Sequence, residues 1–103
     1  MKVAQVSISE SVTQHIARRI IRGELAPGLA LPGENELALE YDVSRTSVRN
    51  ALQVLAAKGL ISIQAKKRST VNPREQWSLL DIDVLGWLSE GEVDAQLVEQ
   101  LMV

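Results

Sequence analysis

Only three residues, Asp42-Val43-Ser44, separate two stretches with helical apolar spacing, and this turn constrains the fold more than any other feature of the chain. Two helices joined so tightly must cross at a steep angle. The spacing predicts the first of them from about Glu34 to Tyr41, with Leu37 and Tyr41 on one side. Ser44 is placed to cap the second, and Val43 before the cap can pack on Val48 inside the helix as a hydrophobic staple. On a wheel of about 100° per residue with Arg45 at zero, Val48, Ala51, Leu52 and Leu55 fall in an arc from roughly 240° to 340°. Arg45, Thr46, Arg49, Asn50 and Gln53 fall between roughly 0° and 140°. One face is therefore core, and the other is polar, cationic and rich in hydrogen-bond donors. Gly59 ends this helix at the C′ position, with Lys58 where a cation suits the helix dipole.

An earlier helix is expected to begin near Ser7, because Ser7-Ile8-Ser9-Glu10 has capping-box spacing and Val12, Ile16 and Ile20 recur every fourth residue. Gly23 supplies its stop. The stretch from Glu24 to Gly33 holds Pro27-Gly28 and Pro32-Gly33, so it reads as a turn-rich connector. Without the Gly-x-x-x-x-Gly-Lys spacing these pairs are turn punctuation, not a phosphate loop. After Gly59, Leu60-Ile61-Ser62-Ile63-Gln64 reads as a short strand with Ile61 and Ile63 on one side, and Ser69-Thr70-Val71-Asn72 as its partner. Between them Ala65-Lys66-Lys67-Arg68 forms a loop tip that is almost pure positive charge, and Pro73 closes the unit. The tail is too apolar for a solvated linker, with Trp77, Leu79, Leu80, Ile82, Val84, Leu85, Trp87 and Leu88, then Gly91 and a second segment of Val93, Leu97, Val98, Leu101 and Met102.

A length of 103 residues fits one small domain and leaves little room for an enzyme's deep pocket. The absence of cysteine excludes a disulfide scaffold, a thiolate zinc site and a cysteine nucleophile, and fits a reducing cytosol. A single histidine, His15, cannot make a metal cluster, and with no motif around it reads as a helix-surface or core-edge residue. No catalytic triad is supported. Aromatic content of 3% with no Phe leaves almost nothing for a base-stacking platform, and Trp77 and Trp87 sit among leucines as packing residues. Apolar runs are too short to span a membrane, and the start lacks the apolar stretch of a signal peptide.

The net charge of −2 conceals strong polarity along the chain. Residues 1–42 carry four basic and six acidic side chains, residues 43–74 seven basic and none acidic, and residues 75–103 none basic and seven acidic. The basic stretch is either a footprint for a polyanion or a solvated positive face. The seven tail carboxylates are either an ordinary solvated face or a cover that folds over the cationic face and competes for it.

Helix, tight turn, helix and basic hairpin suit duplex DNA. The major groove accepts one α-helix, and Arg45 and Arg49 in its first turns present forked donors to guanine O6 and N7. Ser44 and the free N–H groups of the first turn favour a phosphate oxygen. The tip Lys66-Lys67-Arg68 can reach an adjacent strand or groove.

Three stretches together, Leu31-Pro32-Gly33-Glu34-Asn35-Glu36-Leu37-Ala38, Val43-Ser44-Arg45-Thr46-Ser47-Val48-Arg49-Asn50-Ala51-Leu52 and Leu55-Ala56-Ala57-Lys58-Gly59-Leu60-Ile61, resemble the winged helix-turn-helix of GntR-type transcriptional regulators. The resemblance covers roughly residues 10–73, and Trp77 to Trp87 is similar to the linker of the FadR-type subfamily, which includes regulators of sugar-acid catabolism. It implies a mainly α fold with a small β-hairpin: three helices plus a two-stranded wing as a DNA-binding domain over 1–73. Over 74–103 it implies short tail helices, an apolar and acidic segment leading to a C-terminal effector domain.

By the same resemblance the chain is a cytoplasmic, non-enzymatic repressor domain whose full-length form binds a palindromic double-stranded operator as a homodimer. Carried over by position, Arg45 and Arg49 contact bases or phosphates, and Ser44, Thr46 and Ser47 the DNA backbone, with Asn35, Gln53, Lys66, Lys67 and Arg68 completing the set. The family usually has arginine at Asn35, glutamate at Asn50, and a wing glycine where this chain has Lys66 or Arg68. The subfamily's effector domain binds a small acid, often through a metal held by histidines, so effector, metal and cofactor are expected outside this chain, with no small-molecule site or membrane contact within it. The alternative from another class is a winged-helix protein-interaction module whose basic face is incidental.

Overall fold

The computed structural model describes residues 7–91. Its elements run α1 (Ile8–Ile21), α2 (Glu34–Tyr41), α3 (Arg45–Ala57), β1 (Ile61–Ser62), β2 (Thr70–Val71) and a 3-10 turn (Arg74–Gln76), and residues 82–91 form a tail helix. The expected segment Val93 to Met102 lies outside the described residues.

α1 and α3 start on side-chain caps, whereas α2 starts at Gly33 without one. Ser7 caps α1 by accepting from the Glu10 N–H at 3.1 Å, and Ser44 caps α3 by accepting from the Ser47 N–H at 3.1 Å, each relieving one donor that the first turn leaves unpaired. Asp42 ends α2 in the left-handed region at φ 54°, a conformation Asp tolerates better than most residues. The turn Asp42-Val43-Ser44 thus reverses the chain with its own residues. α1 and α3 pack Val12, Ile16, Ala17 and Ile20 with Val48, Ala51, Leu52 and Leu55 in one buried cluster that also takes Leu37 from α2.

The antiparallel wing pairs Ile61 with Val71 and Ser62 with Thr70. It is shorter than the expected strands over 60–64 and 69–72, and Ile63 does not share the core side with Ile61. Ile61 is 2% exposed and Ile63 51%, because the strand ends at Ser62 and the chain turns away before alternation can bring Ile63 inward. The connector also differs from a plain turn. Leu25 and Leu31 are buried, Ala30 bridges Thr70, and Val71 is bonded on its far side by the Gly28 N–H at 2.8 Å and the Leu29 carbonyl at 2.9 Å. A two-stranded ribbon of this size is marginal alone, and the connector gives it a third partner.

Asn72 fastens the wing's base to the rest. Its side chain accepts from the Ser62 hydroxyl at 2.6 Å and donates to the Gly59 carbonyl at 3.0 Å. Its backbone carbonyl accepts from the buried Trp77 indole at 3.1 Å. Trp77, Val84 and Trp87 then join the core cluster. Asp81 begins the tail helix, one carboxylate oxygen accepting from the Asp83 N–H at 2.8 Å and the Val84 N–H at 3.3 Å. Its other oxygen takes Lys58 Nζ at 2.9 Å.

Candidate nucleic-acid interface

The exposed side of α3 begins at the cap and continues through Arg45, Thr46, Arg49, Asn50 and Gln53, all exposed, with Ser47 half-buried. Ser44 and Ser47 are joined hydroxyl to hydroxyl at 3.1 Å. The wing tip lies across an open groove of about 530 Å³ whose walls include Arg49, Gln53, Lys66, Lys67 and Arg68. Leu52, Glu34 and the Pro32-Gly33 step into α2 also line it. Of the residues expected to act together, Arg49, Gln53, Lys66, Lys67 and Arg68 line this groove, whereas Ser44, Arg45, Thr46 and Ser47 at the start of α3 and Asn35 on α2 are not among its lining residues.

Lys66 adopts φ 61°, a left-handed conformation that favours glycine. Of the two positions aligned with the family's wing glycine, Lys66 is the one whose backbone calls for it.

The cations at this site are not all alike. Arg49 is held side-on by Glu34, with Nη2 donating to Oε1 at 3.0 Å and Nε to Oε2 at 3.3 Å. Arg45 Nη1 donates to Asn35 Oδ1 at 3.2 Å, and Arg68 Nη2 donates to Glu36 Oε1 at 2.6 Å. Lys66 and Lys67 make no ion pair among the described residues. Three consecutive residues of α2 thus hold one cation each. Hydrogen bonding from Arg49 keeps the Glu34 carboxyl below the usual carboxylate range, against the opposing pull of partial burial, and the charge of Arg49 and Arg45 adds to it. The same bond raises the Arg49 guanidinium further.

Sequence reading passed over Glu34 and Glu36. Acids in the first turn of a helix have a sufficient local reason in the helix dipole, and only the steep crossing of α2 and α3 reveals their second role. The one available signal was the position of Glu34 directly after Pro32-Gly33, a pinned start facing the first turns of α3.

The tail carboxylates do not cover this face among the described residues. Asp81 and Asp83 bind Lys58 at 2.9 and 3.0 Å at the far end of α3, and Glu90 binds Arg18 of α1 at 3.0 Å. The basic end of α3 and the acidic start of the tail are neighbours in space, so the nearest opposite charges neutralise one another there. His15 lies on the exposed side of α1, its Nδ1 2.8 Å from the Tyr41 hydroxyl. No cluster of three or more possible metal ligands occurs among the described residues, and no helix there is long and apolar enough to cross a membrane.

Comparison with known proteins gives this arrangement a family. The profile of the bacterial regulatory proteins of the gntR family matches residues 8–71. The HTH-type transcriptional regulator YieP of Escherichia coli is 37% identical over 100 residues, 97% of this chain and 44% of the relative. The galactonate operon transcriptional repressor of Escherichia coli is 37% identical over 86 residues, 84% of this chain and 38% of the relative. The chain therefore spans less than half the length of these two relatives. Among solved structures, the AraR DNA-binding domain in complex with operator ORR3 superposes with a TM-score of 0.63 at 27% identity, covering 69% of this chain and 86% of that one. The fold is thus the winged helix of GntR DNA-binding domains, and the chain belongs to the GntR family of bacterial regulatory proteins, which are transcriptional regulators and not enzymes.

Proposed function

We propose that this chain recognises double-stranded operator DNA and represses transcription as part of a longer, dimeric cytoplasmic regulator. The first turns of α3 enter the major groove. Arg45 and Arg49 meet base edges or phosphates, Ser44, Thr46 and Ser47 meet the sugar-phosphate backbone, and Gln53 and Asn35 flank them. The wing tip Lys66-Lys67-Arg68 holds the adjoining strand. Residues 1–73 form the DNA-binding unit, and residues 74–103 lead toward the part of the regulator that binds an effector and pairs the subunits.

The observation that carries this reading is one groove lined both by Arg49 and Gln53 of α3 and by Lys66, Lys67 and Arg68 of the wing. Cationic residues from two separate elements, α3 and the wing, line it together, whereas an incidental solvated face has no reason to gather them. The operator complex of the AraR domain supports it.

The test is fluorescence anisotropy of a labelled duplex from upstream of the gene against a random duplex across a salt series. If four of the five cations sit on phosphates, log affinity falls with log salt at a slope of about −4 per bound chain. The upstream duplex binds more tightly. Absence of binding to either duplex at low salt refutes the proposal and favours a protein-interaction module.

A further inference from the structure

We infer that Glu34 is a positioning residue for base recognition, holding Arg49 by one edge of its guanidinium so that the other edge is presented, already oriented, to a guanine. The inference rests on duplex DNA being the ligand of α3, as proposed above.

Arginine has two edges on which it can make a two-pronged contact, one formed by Nε and Nη2 and the other by the two terminal Nη groups. Glu34 takes the first, through Nε at 3.3 Å and Nη2 at 3.0 Å. The terminal edge keeps two N–H groups in one plane, the pattern that guanine O6 and N7 accept in the major groove. Arg49 remains exposed, with 57% of its side chain open to solvent, so this edge is accessible.

The support is itself rigid. Glu34 opens α2, where a negative charge suits the helix dipole, and Leu31 before it and Leu37 after it are both 1% exposed core residues. A long side chain tied to such a base has less rotamer freedom to lose on binding. The neighbouring pair differs in form. Glu36 takes a terminal Nη2 of Arg68 at 2.6 Å, with both side chains 57% exposed. That contact is a single bond and does not fix the plane of the guanidinium, so Glu36 competes with phosphate for Arg68 and directs nothing.

The two carboxylates should therefore separate in a binding experiment. Duplexes are selected from a randomised library on the wild-type 103-residue chain, and affinity for a selected and a scrambled duplex is measured for wild type, Glu34→Gln, Glu36→Gln, Arg49→Ala and the Glu34→Gln/Arg49→Ala double variant. Removing either negative charge raises affinity for every duplex, so the ratio of selected to scrambled affinity is what reports positioning. Glu34→Gln lowers that ratio about three- to tenfold, a share of what a bidentate base contact supplies. Glu36→Gln leaves the ratio unchanged while tightening both duplexes. In the Arg49→Ala background Glu34→Gln has no further effect on the ratio, since it acts only through that side chain.

An unchanged ratio in Glu34→Gln, an equal loss in Glu36→Gln, or an effect that persists without Arg49 overturns the inference and leaves DNA binding standing. If no duplex is enriched at low salt, the DNA-binding reading fails and the inference with it.

Discussion

Gly59→Ala measures how firmly the end of α3 is joined to the segment that follows the wing. Gly59 has φ +80°, and a Cβ built on it would stand 2.3 Å from the Gln76 carbonyl oxygen, 3.2 Å from its carbon and 3.3 Å from Trp77 Cα. Gly28 is the control, with φ +85° and nothing within 4 Å of the same built atom. Both substitutions force alanine into the left-handed region, which costs about 1 kcal/mol after allowing for the stiffer unfolded chain. Only Gly59→Ala adds a collision, and the obstacle is backbone, which cannot swing aside as a side chain can. Relief requires the turn Arg74–Gln76 to move, loosening the Ser78 N–H bond to the Lys58 carbonyl at 2.8 Å and the Trp77 indole bond to Asn72 at 3.1 Å. Overpacking of this kind costs about 1–3 kcal/mol, so Gly59→Ala loses roughly 2–4 kcal/mol and Gly28→Ala about 1 kcal/mol. At about 4–8 °C per kcal/mol for a domain this small, Gly59→Ala lowers Tm by roughly 8–32 °C and Gly28→Ala by roughly 4–8 °C. Thermal and urea denaturation followed by circular dichroism give both values. Equal losses would refute the packing of Gln76 and Trp77 against the end of α3.

Other expectations concern charge and backbone. Arg49→Ala should cost about 1–3 kcal/mol of discrimination between operator and random duplexes, whereas Lys67→Ala weakens both alike and makes the salt slope shallower by about 0.9; identical behaviour of the two variants would remove the division between reading and positioning. Asp81 should contribute to acid sensitivity. The hydrogen bond from Lys58 leads in holding its carboxyl below the ordinary value of 3.8, helped by backbone N–H groups of Val84 and Asp83. Its folded-state value being depressed, the stabilisation is present above about pH 4 and is lost as pH falls through the folded value. Asp81→Asn keeps a helix-capping side chain but loses the ion pair, so its stability changes less between pH 5 and pH 2 in urea titrations at about those values; an unchanged slope would contradict the role. Lys66→Gly should raise stability by up to about 1 kcal/mol by relieving the left-handed backbone, while Lys67→Gly gains nothing, and calorimetry of the two variants distinguishes them.

Local chemistry made much of this fold legible. Ser7, Ser44, Gly23 and Gly59 mark helix ends by capping or by left-handed backbone, and these needs are met within a few residues. The wing was less legible because its pairing is not local. Nothing near Gly28 or Ala30 announces that they will bond residues 70 and 71, some forty positions away. Ile63 illustrates the same limit, since alternation promises burial only while the strand continues. At the site, the exposed face of α3 followed from its period and the wing tip from its charge. Glu34 and Glu36 did not, because a helix-start acid looks complete without its partner. The tail carboxylates show the converse: their sign was plain, but their targets Lys58 and Arg18 depended on where the tail helix lies.

The seating of Trp77 and the tail helix also determines how the protein comes apart. Trp77, Val84 and Trp87 are 8%, 0% and 7% exposed in the same cluster as α1 and α3. At about 1.5–3 kcal/mol for each large apolar side chain, their burial contributes an amount comparable to the net stability of a whole small domain. Detaching the tail while leaving the recognition helix intact is therefore not a low-energy fluctuation. Amide hydrogens of α3 and of residues 84–88 should exchange in one cooperative unit, so a force or ligand that loosens the tail is felt as a change in the population of folded α3.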